Sequence, residues 1–230
     1  KEAYGFDGCL PAGAFYVDKE ARGLLEGSLV DGVSACAVDL AGDARKTEIK
    51  PKRIGIFQRY WGGNADEGWT RFVFENYGFR FVTLLDEDIK GNLIEKVDVV
   101  ILPADNYKLI VDLDAKEGEP LQLYWPMDGP DEYKSGLGEE GLRGLRRFVE
   151  AGGRLVTYGQ SSDVAVKALE LKVQNVVAGL GPQEYYCHGN TMWAHFDNTN
   201  PLAYGMPEKA LVFAWDSPAP KCLKRRSTLP

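Results

Sequence analysis

From Lys52 onward, short apolar runs alternate with segments of helical period, and this alternation predicts an α/β chain. Arg53–Phe57 is the first run. After the loop Gln58–Ala65, the residues Trp69, Phe72, Val73 and Tyr77 recur at the spacing of one helix face. Asp66 is placed to cap the start of that helix, and Gly78 to end it. A second strand is predicted over 80–84, followed by the acidic Asp86, Glu87 and Asp88 and a short helix through Ile94. The third run, Asp98–Leu102, is almost continuously apolar, as expected of a parallel strand covered on both faces. A helix over 139–151 turns Leu142, Leu145, Phe148 and Val149 towards a core, and Gly152 and Gly153 stop it. A fourth strand follows over 154–158, and Gly159–Asp163 turns it into a helix over 164–171.

The repeated strand–loop–helix unit implies a flavodoxin-like, doubly wound, mainly parallel sheet with helices on both faces. Residues 49–218 hold this pattern, with further strands predicted around 192–196 and 210–215. In residues 1–48, Ala14–Val17 reads as a strand and Lys19–Glu26 as a helix, so this part is either an extra βα unit or a connecting segment. Residues 219–230 read as a tail. The excursion from Pro103 to Gly138, scattered with glycine and proline, is too long for a simple connection and reads as a lid or interaction loop.

Composition narrows the partners. The 230 residues carry a formal net charge of -7, which disfavours a nucleic-acid backbone as ligand. The basic run of Lys221, Lys224, Arg225 and Arg226 sits among prolines and reads as solvated tail. No stretch approaches the roughly 20 apolar residues of a membrane span. The first residue is Lys1, the pattern of a processed protein or of a portion of a longer one. The cysteines Cys9, Cys36, Cys187 and Cys222 form no C-x-x-C pair, and a disulfide between Cys9 and Cys36 is left open.

Ligands of open α/β sheets gather at the carboxyl ends of the strands, so two loops carry the candidate chemistry. The first holds Arg59, Tyr60, Trp61, Asn64, Asp66 and Glu67. Arg59 is suited to pairing a carboxylate and Trp61 to stacking on a small ligand or peptide. The alternative is that Tyr60 and Trp61 pack under the excursion while Asp66 caps its helix. The second loop holds Gln160, Ser161 and Ser162 at the turn where related hydrolases carry a nucleophile. A serine there needs a base, for which the sequence offers His188 and His195; otherwise Ser161 or Ser162 serves as a helix N-cap. A metal site from Cys187, His188, His195 and Asp197 lacks compact ligand spacing, so neither metal nor cofactor is expected. Dinucleotide, P-loop and H-E-x-x-H motifs are missing.

The string Arg53–Arg71 is similar to one in the C-terminal region of bacterial zinc carboxypeptidase-like proteins of the carboxypeptidase A superfamily. So are Gly138–Gly141, Phe148–Gly153 and Pro201–Pro207. In that family the region resembles a class I glutamine amidotransferase-like domain appended after the peptidase domain. Residues 1–48 then look like the connecting segment. The amidotransferase cysteine is missing from Gly159–Asp163, and neither histidine has a glutamate three residues on, as the peptidase's zinc-binding H-x-x-E pair requires. The resemblance therefore implies a non-catalytic accessory domain, secreted or periplasmic, whose partners are an adjacent peptidase domain, a peptide or a glycan. Two alternatives stay open: a serine-dependent hydrolase built on Ser161 or Ser162, and a carbohydrate-binding module presenting Trp61, Trp125 and Tyr133.

Overall fold

β-Branched and aliphatic side chains dominate four short runs that pair into one parallel sheet. They are β1 (Ile54–Phe57), β2 (Phe81–Leu84), β3 (Val99–Leu102) and β4 (Arg154–Thr157), in the order β2-β1-β3-β4. The structure, a computed structural model, describes residues 15–18, 20, 23, 48–59, 63–112, 136–187, 189–203, 206–215 and 219–222. The chain forms two compact units, Lys50–Gly189 with Trp215–Pro230, and Lys1–Ile49 with Asn190–Ala214.

Among the described residues, six helices accompany the sheet: α1 (Ala65–Asn76), α2 (Asp86–Lys90), α3 (Leu93–Lys96), α4 (Tyr107–Val111), α5 (Gly138–Glu150) and α6 (Ser162–Ala168). Alternate strand residues point to opposite faces. Phe57, Leu84, Val100 and Leu102 point to one face and form a single core with Ile89 of α2, Leu93 of α3, Ile110 of α4, Leu145 and Phe148 of α5 and Val164 of α6. Full burial of a side chain such as Leu145 stabilises the fold by about 1.5–3 kcal/mol. On this side α5 approaches α2 so closely that a Cβ at Gly144 would run into the Ile89 carbonyl.

Helix α1 covers the other face. Its Arg71 donates to Thr83 Oγ1 at 3.0 Å and lies 5.3 Å from the Phe81 ring, and Phe74 meets the same ring at 6.1 Å. The helix ends at Gly78, whose φ of 71° suits a residue without Cβ. Gly78 N donates to Glu75 O, Phe79 N donates to Phe74 O, and the two phenylalanine rings touch, which together make a Schellman motif. The apolar stripe at helical spacing is real, but it faces outward: Trp69, Phe72, Val73 and Tyr77 are 66%, 55%, 46% and 69% exposed. The inward stripe is Glu67, Arg71 and Phe74, because the charged pair bridges to the edge strand β2. The fold is thus α/β, flavodoxin-like and doubly wound, with helices on both faces.

At the amino edge of the sheet, Arg53 grips Asp98 through three bonds, its backbone N–H to Oδ2 at 2.8 Å, Nη2 to Oδ1 at 2.8 Å and Nε to Oδ1 at 3.3 Å. These hydrogen bonds hold the Asp98 carboxyl at about 2, below the ordinary aspartate range. β1 and β3 are thereby clamped at their starts.

Several expectations are corrected. Phe15, Tyr16 and Val17 are exposed and lie outside any strand, because no neighbouring strand among the described residues takes up their backbone groups. Of the helix expected over 19–26, only Glu20 and Gly23 fall among the described residues. Within the Pro103–Gly138 excursion, Tyr107–Val111 is helical, capped by Asn106 Oδ1, which accepts from Lys108 N at 2.9 Å. The stretch read as tail contains β8 (Pro220–Cys222), which pairs antiparallel with β5 (Val173–Asn175). Asn175 Oδ1 fastens the pair by accepting from Ala219 N at 3.1 Å. Cys9 and Cys36 lie outside the described residues.

In the second unit, β6 (Asn190–His195) and β7 (Lys209–Ala214) form an antiparallel hairpin with Trp193 opposite Leu211. The Lys209 ammonium sits 4.6 Å from the Trp193 ring centre. Among the described residues, no helix is long and apolar enough to cross a membrane.

Candidate functional site

The strand order places a topological switch between β1 and β3, since the chain leaves β1 for β2 on one side and then returns to β3 on the other. The residues following those two strands meet there. Arg59, two residues beyond β1, donates from Nε to Asp105 Oδ2 at 2.5 Å, and also donates to the Gly63 carbonyl. Its side chain is 6% exposed and that of Asp105 12%. A charge pair this deep is held by mutual attraction and by the hydrogen bonds around it, because each charge alone would lose its hydration.

Asn64 joins the two loops to α1. Its Oδ1 accepts from Asp66 N at 2.9 Å and Glu67 N at 3.2 Å, satisfying two of the helix's free donors. Its Nδ2 donates to Ala104 O at 3.0 Å and Asp105 Oδ2 at 3.1 Å. The cap expected of Asp66 therefore belongs to Asn64, and Asp66 is exposed. An asparagine can donate and accept at once, which a carboxylate cannot, and this position needs both.

Ser161 closes the network from β4. Its hydroxyl is completely buried, donates to the Pro103 carbonyl, and accepts from Asp105 N at 2.9 Å. Ser161 occupies the N-cap position of α6 but makes no capping hydrogen bond, so the predicted cap is replaced by a tie between the β3 and β4 loops. The reason is the neighbouring loop: two β3-loop backbone groups, the Pro103 carbonyl and the Asp105 N–H, lie within its reach and take up its hydroxyl. Ser162 is half-buried, with Thr157 Oγ1 at 3.4 Å from its Oγ. Burial pushes the adjacent Tyr158 phenol up from its ordinary pKa.

Of the predicted ligand-binding residues, Arg59 and Asn64 come together in this network. Glu67 is buried and pairs with Arg71 one turn along α1, while Gln160 is exposed. Tyr60, Trp61, Trp125, Tyr133 and His188 lie outside the described residues. His195 is an exposed residue of the hairpin in the second unit, and Cys187 is buried in the first. No group of three or more His, Cys, Asp or Glu side chains among the described residues is arranged to hold a metal ion. Sequence reasoning missed Asp105, whose only signal is a carboxylate three residues beyond an apolar strand.

The space left between Phe57, Asn64, Pro103 and Ile110 is about 10 Å³, at the lower limit for a single water molecule. Asp105 pairs with Arg59 in place, and among the described residues the arrangement ties three loops together. No family model, curated protein or solved structure matches the chain.

Proposed function

We propose that this chain is a non-catalytic accessory domain of a zinc carboxypeptidase-like protein, secreted or periplasmic, that binds an adjacent peptidase domain, a peptide or a glycan. The observation that carries the reading is the engagement of Ser161. Nucleophilic attack needs an oxygen that a substrate can approach and a base able to take its proton. The Ser161 proton is committed to Pro103 O, a lone pair is committed to Asp105 N–H, and none of the residue's surface meets solvent. The narrow space at the switch point, about 10 Å³ among the described residues, adds support, because α/β enzymes of this architecture bind substrate there. The similarity of Arg53–Arg71 to the carboxypeptidase-associated domain supplies the protein context.

The test compares the chain with Ser161→Ala and Ser162→Ala in hydrolysis of glutamine, p-nitrophenyl acetate and short peptides. All three are expected to stay at background, while Ser161→Ala unfolds more easily by about 1 kcal/mol because Pro103 O and Asp105 N–H lose their hydroxyl partner. Enzyme-like turnover abolished by either substitution would overturn the proposal.

A further inference from the structure

A groove of about 530 Å³ runs between α5 and α6 and shares no lining residue with the switch-point space. Leu142 and Ala168, both nearly buried, form its floor. Arg143, Arg146 and Arg147 of α5 and Lys167 of α6 line it, against only two carboxylates, Glu139 and Glu170. The clustering needs a physical account, since like charges one turn apart on a helix destabilise it and the protein as a whole is acidic, with a net charge of -7.

Two of the cations are held in fixed positions. Arg146 donates from Nε to the Ala168 carbonyl at 2.8 Å and pairs with Glu170 at 2.7 Å, and Arg147 donates to the Lys90 carbonyl at 3.0 Å. The other two, Arg143 and Lys167, are exposed and form no ion pair or hydrogen bond among the described residues. A guanidinium has five N–H donors, so Arg146 and Arg147 retain donors beyond these bonds, and the planar group suits a carboxylate. The open groove admits an extended chain more readily than it encloses a compact molecule.

We propose that the α5–α6 groove binds an acidic peptide segment, with its carboxylates on Arg143, Arg146, Arg147 and Lys167. This deepens the accessory-domain reading and rests on it for the kind of partner, but it concerns a different surface. The hydrolysis assay and the peptide titration can therefore fail independently.

The experiment titrates the full chain with tetraglutamate, tetraglutamine and inorganic phosphate, following backbone amide NMR shifts. Tetraglutamate is expected to bind saturably, with shifts concentrated on α5 and α6, and tetraglutamine to leave the spectrum unchanged. The net negative charge of the chain repels anions at long range, so saturation reports a local site. Arg143→Ala with Lys167→Ala should weaken binding about tenfold. Glu170→Gln, which frees Arg146 without removing a cation, should tighten it about threefold. No saturable binding, affinity unchanged in both variants, or phosphate binding as tightly as the peptide would overturn the proposal.

Discussion

At the scale of single residues, the chemistry of the switch point is decided by which groups satisfy one another. Arg59 and Asp105 are largely buried and paired with each other, so removing Arg59 takes from Asp105 its cation. Arg59→Ala is expected to lower stability by about 3 kcal/mol in urea unfolding. Arg59→Met combined with Asp105→Asn should recover most of that loss, because no unpaired charge remains; an equal or larger loss in the double variant would contradict a charge-pair role. Arg59 and Asn64 were legible in the sequence as members of a polar loop after a strand. Asp105 was not, because a single carboxylate at the start of a glycine- and proline-rich stretch carries no period. The Ser161 contacts were equally hidden, since a buried hydroxyl bridging two loops and an exposed nucleophile are identical in sequence.

At the scale of elements, apolar runs located all four strands of the parallel sheet within a residue of their ends. Periodicity identified α1 and its apolar stripe, but could not say which side of the helix meets the sheet. Asn64 fixes the start of α1 against the β3 loop, and the Glu67–Arg71–Thr83 chain draws the charged side inward. Helix α4 and the β5–β8 pair escaped detection because each is short and contact between distant segments, not local pattern, sustains it. The clamp between β1 and β3 makes a pH-dependent prediction. The folded Asp98 carboxyl titrates at about 2, below its unfolded value, so its contribution is present above the ordinary aspartate range and lost as the pH falls through about 2. The stability difference between the protein and Asp98→Asn should therefore be constant near neutrality, shrink below about pH 4 and vanish below about pH 2. A difference that persisted into strong acid would place the effect of Asp98 elsewhere.

At the scale of the whole molecule, sheet order and function are linked. The order β2-β1-β3-β4 creates a switch point, where this architecture ordinarily receives a ligand, and here Arg59, Asn64, Asp105 and Ser161 are joined by hydrogen bonds beside it. The sequence pattern revealed the α/β class, but not this network, which depends on three loops far apart in the chain. On the proposed reading, Ser161 is a structural hydroxyl and not a nucleophile. The most direct test is to incubate the folded chain with an excess of a fluorophosphonate and locate any adduct by peptide mass spectrometry. The account predicts no adduct at Ser161 or Ser162; stoichiometric labelling of either serine in the folded protein would contradict it.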